Sequence, residues 1–298
     1  MEPRFRNSPP HAGRAANADE DLLAALGYKQ GKRNFSLFQT LGLAFSIVGL
    51  VASFSSVLIF SIPYGGPVAM IWGWTAAAGF LATVALALAE LASAAPTSGG
   101  LYYWTFTFSP DKYRCFLAWI VGYANTISNI ASVASIEWGC AVQIMAAVSI
   151  GTGFEANNAH IFGVYVGLIV VHGLMNTGSP RFIARLQPLF TTLNIILCFV
   201  VIVLLPALTP RSLRNDASFA FGHFENFSGW QNRFAFILSF LTPAWVTGSF
   251  DAPIHMSEEV ESAALAIPYA IIVANVSTLV LGWGKSTFKW NKTKINLI

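Results

Sequence analysis

Few residues of this chain are placed where they could do chemistry, and its isolated carboxylates are the first to consider. Glu137 lies between long apolar stretches, and Asp251 lies among Gly248, Pro253 and apolar neighbours. A carboxylate in such a setting pairs with a polar group, lines a cavity or marks the end of the segment. For Glu137 the readings are pairing within a helix bundle and lining a cavity. For Asp251 they are a functional acid inside the membrane and an interfacial residue where a helix ends near Gly248. His172, alone in an apolar run, reads as a packing histidine. Enzyme machinery does not assemble around any of them. The five histidines show no HExxH spacing, and Cys115, Cys140 and Cys198 stand far apart without a CxxC. There is no glycine-rich phosphate loop either. Neither a catalytic residue, a metal ligand nor a cofactor is expected.

The backbone offers a second kind of chemistry. The segment Leu41–Ser56 holds Gly42, Ser46, Gly49, Ser53, Ser55 and Ser56. Glycine costs about 1 kcal/mol against alanine inside a helix, so this apolar helix is weak. Small residues also let helices pack closely. The alternative is a break near Ser46–Gly49 whose freed N–H groups face a carboxylate. In Phe240–Glu259, Pro243, Gly248 and Pro253 fall within eleven residues. Proline removes a backbone donor and clashes with the preceding turn, so a straight helix is not expected there. Gly163 and Gly167 predict a close helix contact, and Asn226-Phe-Ser228 is the triplet of a glycosylation acceptor.

Membrane helices must position these residues. Of 298 residues, 55% are hydrophobic and 10% charged, and the mean hydropathy is +0.58. Soluble domains carry roughly 25% charged residues. Residues 34–89, 115–136, 186–210 and 262–284 carry no charge, and about 20 apolar residues cross a bilayer. The chain therefore reads as an all-α polytopic membrane protein with seven spans, near 41–62, 67–92, 115–149, 160–178, 187–208, 233–254 and 266–283. The third is long enough for a tilted helix. The interrupted segments are the first and sixth, which suits two repeats of five helices, each opening with a broken helix. A net charge of +3, scattered along the chain, argues against a nucleic acid partner.

Residues 1–40 are polar, with Pro9, Pro10 and Asp19-Glu20-Asp21, and read as a mostly disordered arm. No apolar core with a cleavage site near Met1 marks a signal peptide. With the arm inside, the cytoplasmic segments hold Arg4, Arg6, Arg14, Lys29, Lys32, Arg33, Lys112, Arg114, Arg181 and Arg185, against Arg211, Arg214 and Arg233 outside. That balance places the N-terminus in the cytoplasm, with Lys29, Lys32 and Arg33 weighing most. The transmembrane region extends over 41–284. The segment 285–298 shifts abruptly in composition, with four of the seven lysines, and reads as an aberrant tail.

Five strings carry a resemblance: Phe45-Ser-Ile-Val-Gly-Leu50, Gly65-Gly-Pro-Val-Ala-Met-Ile-Trp-Gly-Trp74, Ala89-Glu-Leu-Ala-Ser-Ala-Ala-Pro-Thr-Ser-Gly-Gly-Leu-Tyr-Tyr-Trp104, Ser135-Ile-Glu-Trp-Gly-Cys-Ala141 and Ala252-Pro-Ile-His-Met-Ser-Glu-Glu259. Together, from about Asp21 to Gly282, they resemble the amino acid–polyamine–organocation (APC) transporters, and within them the fungal branch of GABA, choline and amino acid permeases. The resemblance implies two inverted five-helix repeats plus two extra helices, of which this chain holds the first repeat and helices six and seven. It implies a substrate at mid-membrane. Ser46, Ile47, Val48 and Gly49 match the first break, whose N–H groups would hold the substrate carboxylate. Trp245, Val246, Thr247, Gly248 and Ser249 match the second, which would hold the amino group through carbonyls and gate with an aromatic. Asp251 falls where many relatives carry an acidic residue tied to proton coupling, and Glu137 is the second candidate for that role.

The expected function is transport of amino acids or related amines by alternating access, with protons and the lipid bilayer as the other partners, in the plasma or vacuolar membrane. A seven-helix receptor would need an outside N-terminus, and an intramembrane enzyme would need residues that are absent. Relatives have about twelve spans, so the further expectation is a truncated, inactive gene product. Gly284-Lys285-Ser286 can be encoded by a codon run containing the GTAAGT of an intron start. The alternative is a genuine short form, completed by a second chain.

Overall fold

The protein, in a computed structural model, is described over residues 35–178, 180–208, 210 and 217–287. Residues 1–34 of the expected arm, Arg211 and Arg214, and the end of the tail from 288 onward lie outside the described residues. Within them the regular elements are helical, and extended pairing is limited to two isolated bridges, Phe35 with Val260 and Tyr64 with Asn226. Seven helical stretches are long and apolar enough to cross a membrane: Leu37–Ser56, Gly66–Ala94, Arg114–Thr152, Asn158–Asn176, Arg185–Leu204, Asn232–Met256 and Ala263–Trp283. The chain is an all-α polytopic membrane protein.

The first span is two helices, α1 (Leu37–Val48) and α2 (Leu50–Ser56). The second is α3 (Gly66–Ala94), which contains a π turn at Ala69–Gly73. A short helix, α4 (Gly100–Phe108), leads to α5 (Arg114–Thr152) and α6 (Asn158–Asn176). Next come α7 (Pro180–Phe199) and the short α8 (Ala217–Gly222). The sixth span is broken into α9 (Asn232–Leu238), α10 (Leu241–Thr247) and a 3₁₀ turn at Ala252–Met256. The last helix, α11, runs over Ala263–Thr287.

Helix α1 starts before the span expected from hydropathy. Phe35 and Ser36, grouped with the arm by composition, belong to the fold. The Phe35 N–H donates to the Glu259 carbonyl at 3.2 Å, and the Glu261 N–H donates back to Phe35 at 3.0 Å. The Ser36 N–H is met by Gln39 Oε1 at 2.9 Å, so a donor left free at the helix start is satisfied by the next turn. The 39 residues of α5 span about 58 Å at 1.5 Å per residue. That is about twice a hydrocarbon core of roughly 30 Å, so α5 must tilt or project from the bilayer.

Small residues set the centre. Ala85, Ala89 and Ala92 of α3 are buried in one cluster with Ala263, Ala266, Ile267 and Ile271 of α11. Alanine faces bring two backbones close where apolar burial drives little association in lipid. Farther along, Trp74 of α3 is fully buried, its indole N–H donating to the Leu279 carbonyl at 3.1 Å. It lies over Gly282, where a Cβ would fall 2.0 Å from the ring. Only glycine fits under that indole. By contrast, nothing lies within 4 Å of a Cβ at Gly163 or Gly167. The close helix contact expected from that pair is not made among the described residues, because α6 meets its neighbour along another face and buries no residue. Asn226 gives its amide protons to the Trp230 carbonyl at 2.6 Å and to Asn232 Oδ1 at 2.9 Å.

Candidate functional site

The hydrogen-bonded ladder of the first span stops at Val48 and restarts at Leu50, and Gly49 between them takes the left-handed conformation, φ 48° and ψ 48°. A side chain disfavours that conformation, so glycine is the natural residue for it. The Ser53 N–H turns back to the Gly49 carbonyl at 2.9 Å. The N–H groups of Leu50, Val51 and Ala52 open a new helix and have no carbonyl one turn back, the condition of any helix start. On the other side of the break, the Val48 carbonyl accepts the Ser53 hydroxyl at 2.7 Å. A span in lipid must satisfy every backbone group internally. Here one carbonyl is satisfied by a serine, and the N–H groups of the new helix start are left without helical partners.

The sixth span breaks twice. Its helix resets at Ser239–Phe240 and ends at Thr247, whose hydroxyl donates to the Pro243 carbonyl at 2.6 Å. A Cβ on Gly248 would lie 2.9 Å from the Ala244 carbonyl oxygen, so the exit from α10 needs a residue without one. Helix α3 also comes close here. At Gly73 a Cβ would meet the Ser239 hydroxyl at 2.7 Å.

These two breaks come together. Val48 and Leu50 flank the first break and Val246 precedes the second, at 2%, 1% and 1% exposure, and all three sit in one apolar cluster with Phe54, Met70 and Trp74. Trp245 packs against the same cluster. The bond from Thr242 Oγ1 to the Val57 carbonyl at 3.1 Å, with Ser61 Oγ on Thr242 at 2.6 Å, ties the far end of α2 to α10. Of the residues matched to the breaks, Val48, Gly49, Trp245 and Val246 are therefore neighbours in space. Ile47 is exposed, and Gly248 and Ser249 lie past the end of α10. Ser46 is spoken for by another helix, its hydroxyl 2.9 Å from Thr191 Oγ1 of α7. Thr191 in turn donates toward the Gly42 and Gln187 carbonyls at 3.1 and 2.9 Å.

The two carboxylates part company. Asp251 is half-buried, outside the helix proper, and precedes the 3₁₀ turn Ala252–Met256. Glu137 is buried within α5, with Oε1 2.6 Å from His172 Nδ1 of α6. The pairing expected for Glu137 is made, and the polar group that satisfies His172 is Glu137. Nothing in the spacing of two residues thirty-five apart announces that pairing. Among the described residues no group of three His, Cys, Asp or Glu could hold a metal. What the arrangement offers is helix-start N–H groups that suit an anion, helix-end carbonyls that suit a cation, and acids that can carry a proton.

The family model described as "Amino acid permease" matches residues 35–288. The chain belongs to this permease family. It is 40% identical to the GABA-specific permease of Saccharomyces cerevisiae over 271 residues, covering 89% of this chain and 47% of that protein. It is 34% identical to an amino-acid permease of Schizosaccharomyces pombe over 284 residues, 94% of this chain and 51% of the relative. With Amino-acid permease 2 of Neurospora crassa it shares 32% over 292 residues, 93% and 54% of the two chains. The chain thus spans about half the length of the curated relatives it matches. No solved structure matches. The APC resemblance and its fungal permease branch stand on these matches.

In this member of the family the strings Ala89–Trp104 and Ala252–Glu259 also meet, which sequence reasoning missed. Read alone, Ala89–Trp104 is a turn with interfacial aromatics. In the structure the Ser98 hydroxyl donates to Glu258 Oε1 at 2.6 Å, and the His255 ring nitrogen lies 3.2 Å from the Ser98 carbonyl. Gly100, at φ 45°, leaves no room for a Cβ beside Ile254, 2.8 Å away. Trp104 closes the turn through its N–H on the Ala95 carbonyl at 3.0 Å. With the Phe35 bridge, this junction seals one end of α3 against the foot of the sixth span. The signal available was the density of Pro, Thr, Ser and Gly in one string and of acids in the other.

Proposed function

We propose that this chain serves transmembrane transport of amino acids or related amines by alternating access, with substrate held where the first and sixth spans break. The observation that carries the reading is the shared burial of Val48, Leu50 and Val246, which brings two interrupted backbones to one place inside the membrane. The N–H groups of Leu50, Val51 and Ala52 would receive the substrate carboxylate, beside Ser46, Ile47, Val48 and Gly49. Carbonyls around Trp245, Val246, Thr247, Gly248 and Ser249 would receive the amino group, with the Trp245 indole as the gate. GABA, for which one of the relatives is named, has both groups. Asp251 and Glu137 are the candidates for proton coupling. The N-terminus faces the cytoplasm, supported by Lys29, Lys32 and Arg33, in a plasma or vacuolar membrane.

The test is binding and uptake by the full 298-residue chain. The chain is purified into lipid nanodiscs and titrated with labelled GABA and a panel of amino acids, then expressed in permease-deficient yeast for uptake. Saturable binding or uptake competed by one of these compounds is expected. Failure of both binding and uptake across the panel overturns the reading.

A further inference from the structure

We propose that Glu137 and His172 form one proton-holding pair inside the membrane, and that this pair carries the proton of the transport cycle; the second clause rests on the transport reading above. Glu137 is 8% exposed. Its Oε1 lies 2.6 Å from His172 Nδ1, while its Oε2 is buried with no hydrogen-bond partner. An orphaned carboxylate oxygen in an apolar span is expensive unless the group is neutralised or a ligand arrives.

Among the described residues no Lys or Arg is seen paired with Glu137. Among the described residues, α6 brings His172 against Glu137 and Tyr165 against the neighbouring Trp138, and α5 itself carries Cys140 beside it. Helix α2 meets α5 where a Cβ on Gly139 would sit 3.3 Å from Ser56 Cβ, and it carries Ser53, Ser55 and Ser56 but no titratable side chain. Helix α4 brings Tyr102 against Gly122, four turns away along α5. The pair must therefore balance its own charge.

With one proton the pair is neutral overall, whether written as carboxyl and imidazole or as carboxylate and imidazolium. Without it, the pair is an anion whose Oε2 has no donor. With a second, it is a cation. Either of the other forms leaves a net charge in an apolar span. Release of the proton requires water or a donor to reach Oε2, which a change of access from one side of the membrane to the other can supply. The His172 side chain is half-exposed, at 51%, while Glu137 Oε2 is closed in. A purely structural pair would hold α5 to α6 just as well but would not exchange its proton.

The experiment reads protonation directly. Dicyclohexylcarbodiimide, an apolar reagent, adds to a protonated carboxyl group to give a stable N-acylurea. The full chain in nanodiscs is labelled across a range of pH, and the Glu137 peptide is quantified by mass spectrometry. Labelling that falls as pH rises is expected. In His172→Asn the profile should differ from that of the parent, since the ring nitrogen that shares the proton is gone. Absence of label at every pH, or coincident profiles for the parent and His172→Asn, overturns the pair. If His172→Asn does not fold, difference infrared spectra of the parent replace it. A carboxylic acid band that titrates in the parent and is missing in Glu137→Gln supports the proposal, and identical spectra refute it. Neither readout needs transport, so a chain without uptake still reports on the pair. Uptake whose pH profile is unchanged in Glu137→Gln removes the pair from coupling and leaves the transport reading standing.

Discussion

Replacing Gly49 by alanine should close the break in the first span, and the size of the effect follows from the local geometry. A Cβ at Gly49 would meet Ser46 O at 3.6 Å and Ser53 Oγ at 3.7 Å. These are ordinary contacts, so no steric clash contributes. The cost comes from the backbone. At φ 48° an L-residue is about 1–2 kcal/mol worse than glycine. In a continuous helix, alanine is about 1 kcal/mol better than glycine. The substitution therefore tilts the balance toward a continuous helix by about 2–3 kcal/mol, or about 30- to 150-fold. In the continuous form the N–H groups of Leu50, Val51 and Ala52 gain carbonyl partners. Amide hydrogen exchange at those three residues in nanodiscs should slow by up to that factor, and substrate binding should weaken in parallel. Gly49→Asn should show a smaller change, because asparagine tolerates the left-handed conformation. Unchanged exchange at these amides in Gly49→Ala would falsify the reasoning, since the break would then not depend on the residue at its centre.

Three further substitutions probe the packing that holds the breaks in place. Gly282→Ala puts a Cβ 2.0 Å from the Trp74 ring and should cost about 1–3 kcal/mol as overpacking, seen as a lower thermal midpoint, while Gly167→Ala, in open space within α6, should not lower it. Thr191→Val removes the hydroxyl that joins Ser46, Gly42 and Gln187; a loss of about 1–2 kcal/mol is expected, and equal stability would show that the α1–α7 contact rests on shape alone. Ser98→Ala deprives Glu258 of its donor and should cost about 1–3 kcal/mol, with faster exchange at the Phe35 and Glu261 amides as the sign that the junction has loosened.

The sequence reported the spans well and the contacts poorly. Seven apolar segments were legible because crossing a bilayer is a demand on length and composition, both of which are local. The break at Gly49 and the end of α10 at Thr247 were legible for a related reason: glycine and proline act on their own turn of backbone. Ser46 shows the limit. It was grouped with the open backbone of the break, yet its hydroxyl is engaged by Thr191 of α7, a partner from another span. Gly163 and Gly167 erred the other way, with the pattern of a helix contact and open space beside them.

What the sequence by itself determined is therefore the class of the protein: an all-α membrane chain, its family, the order of its spans and the two weak points in them. Only the tertiary structure decided what those points meet. It paired Glu137 with His172, set Val48 and Leu50 against Val246, joined Ser98 to Glu258 and slid Trp74 over Gly282. The physical reason is that such contacts depend on the rotation and depth of each helix relative to its neighbours. Those are settled by the summed packing of whole helix faces, and in lipid, where apolar side chains are satisfied in almost any direction, the apolar pattern of a single span carries little record of which face turns inward.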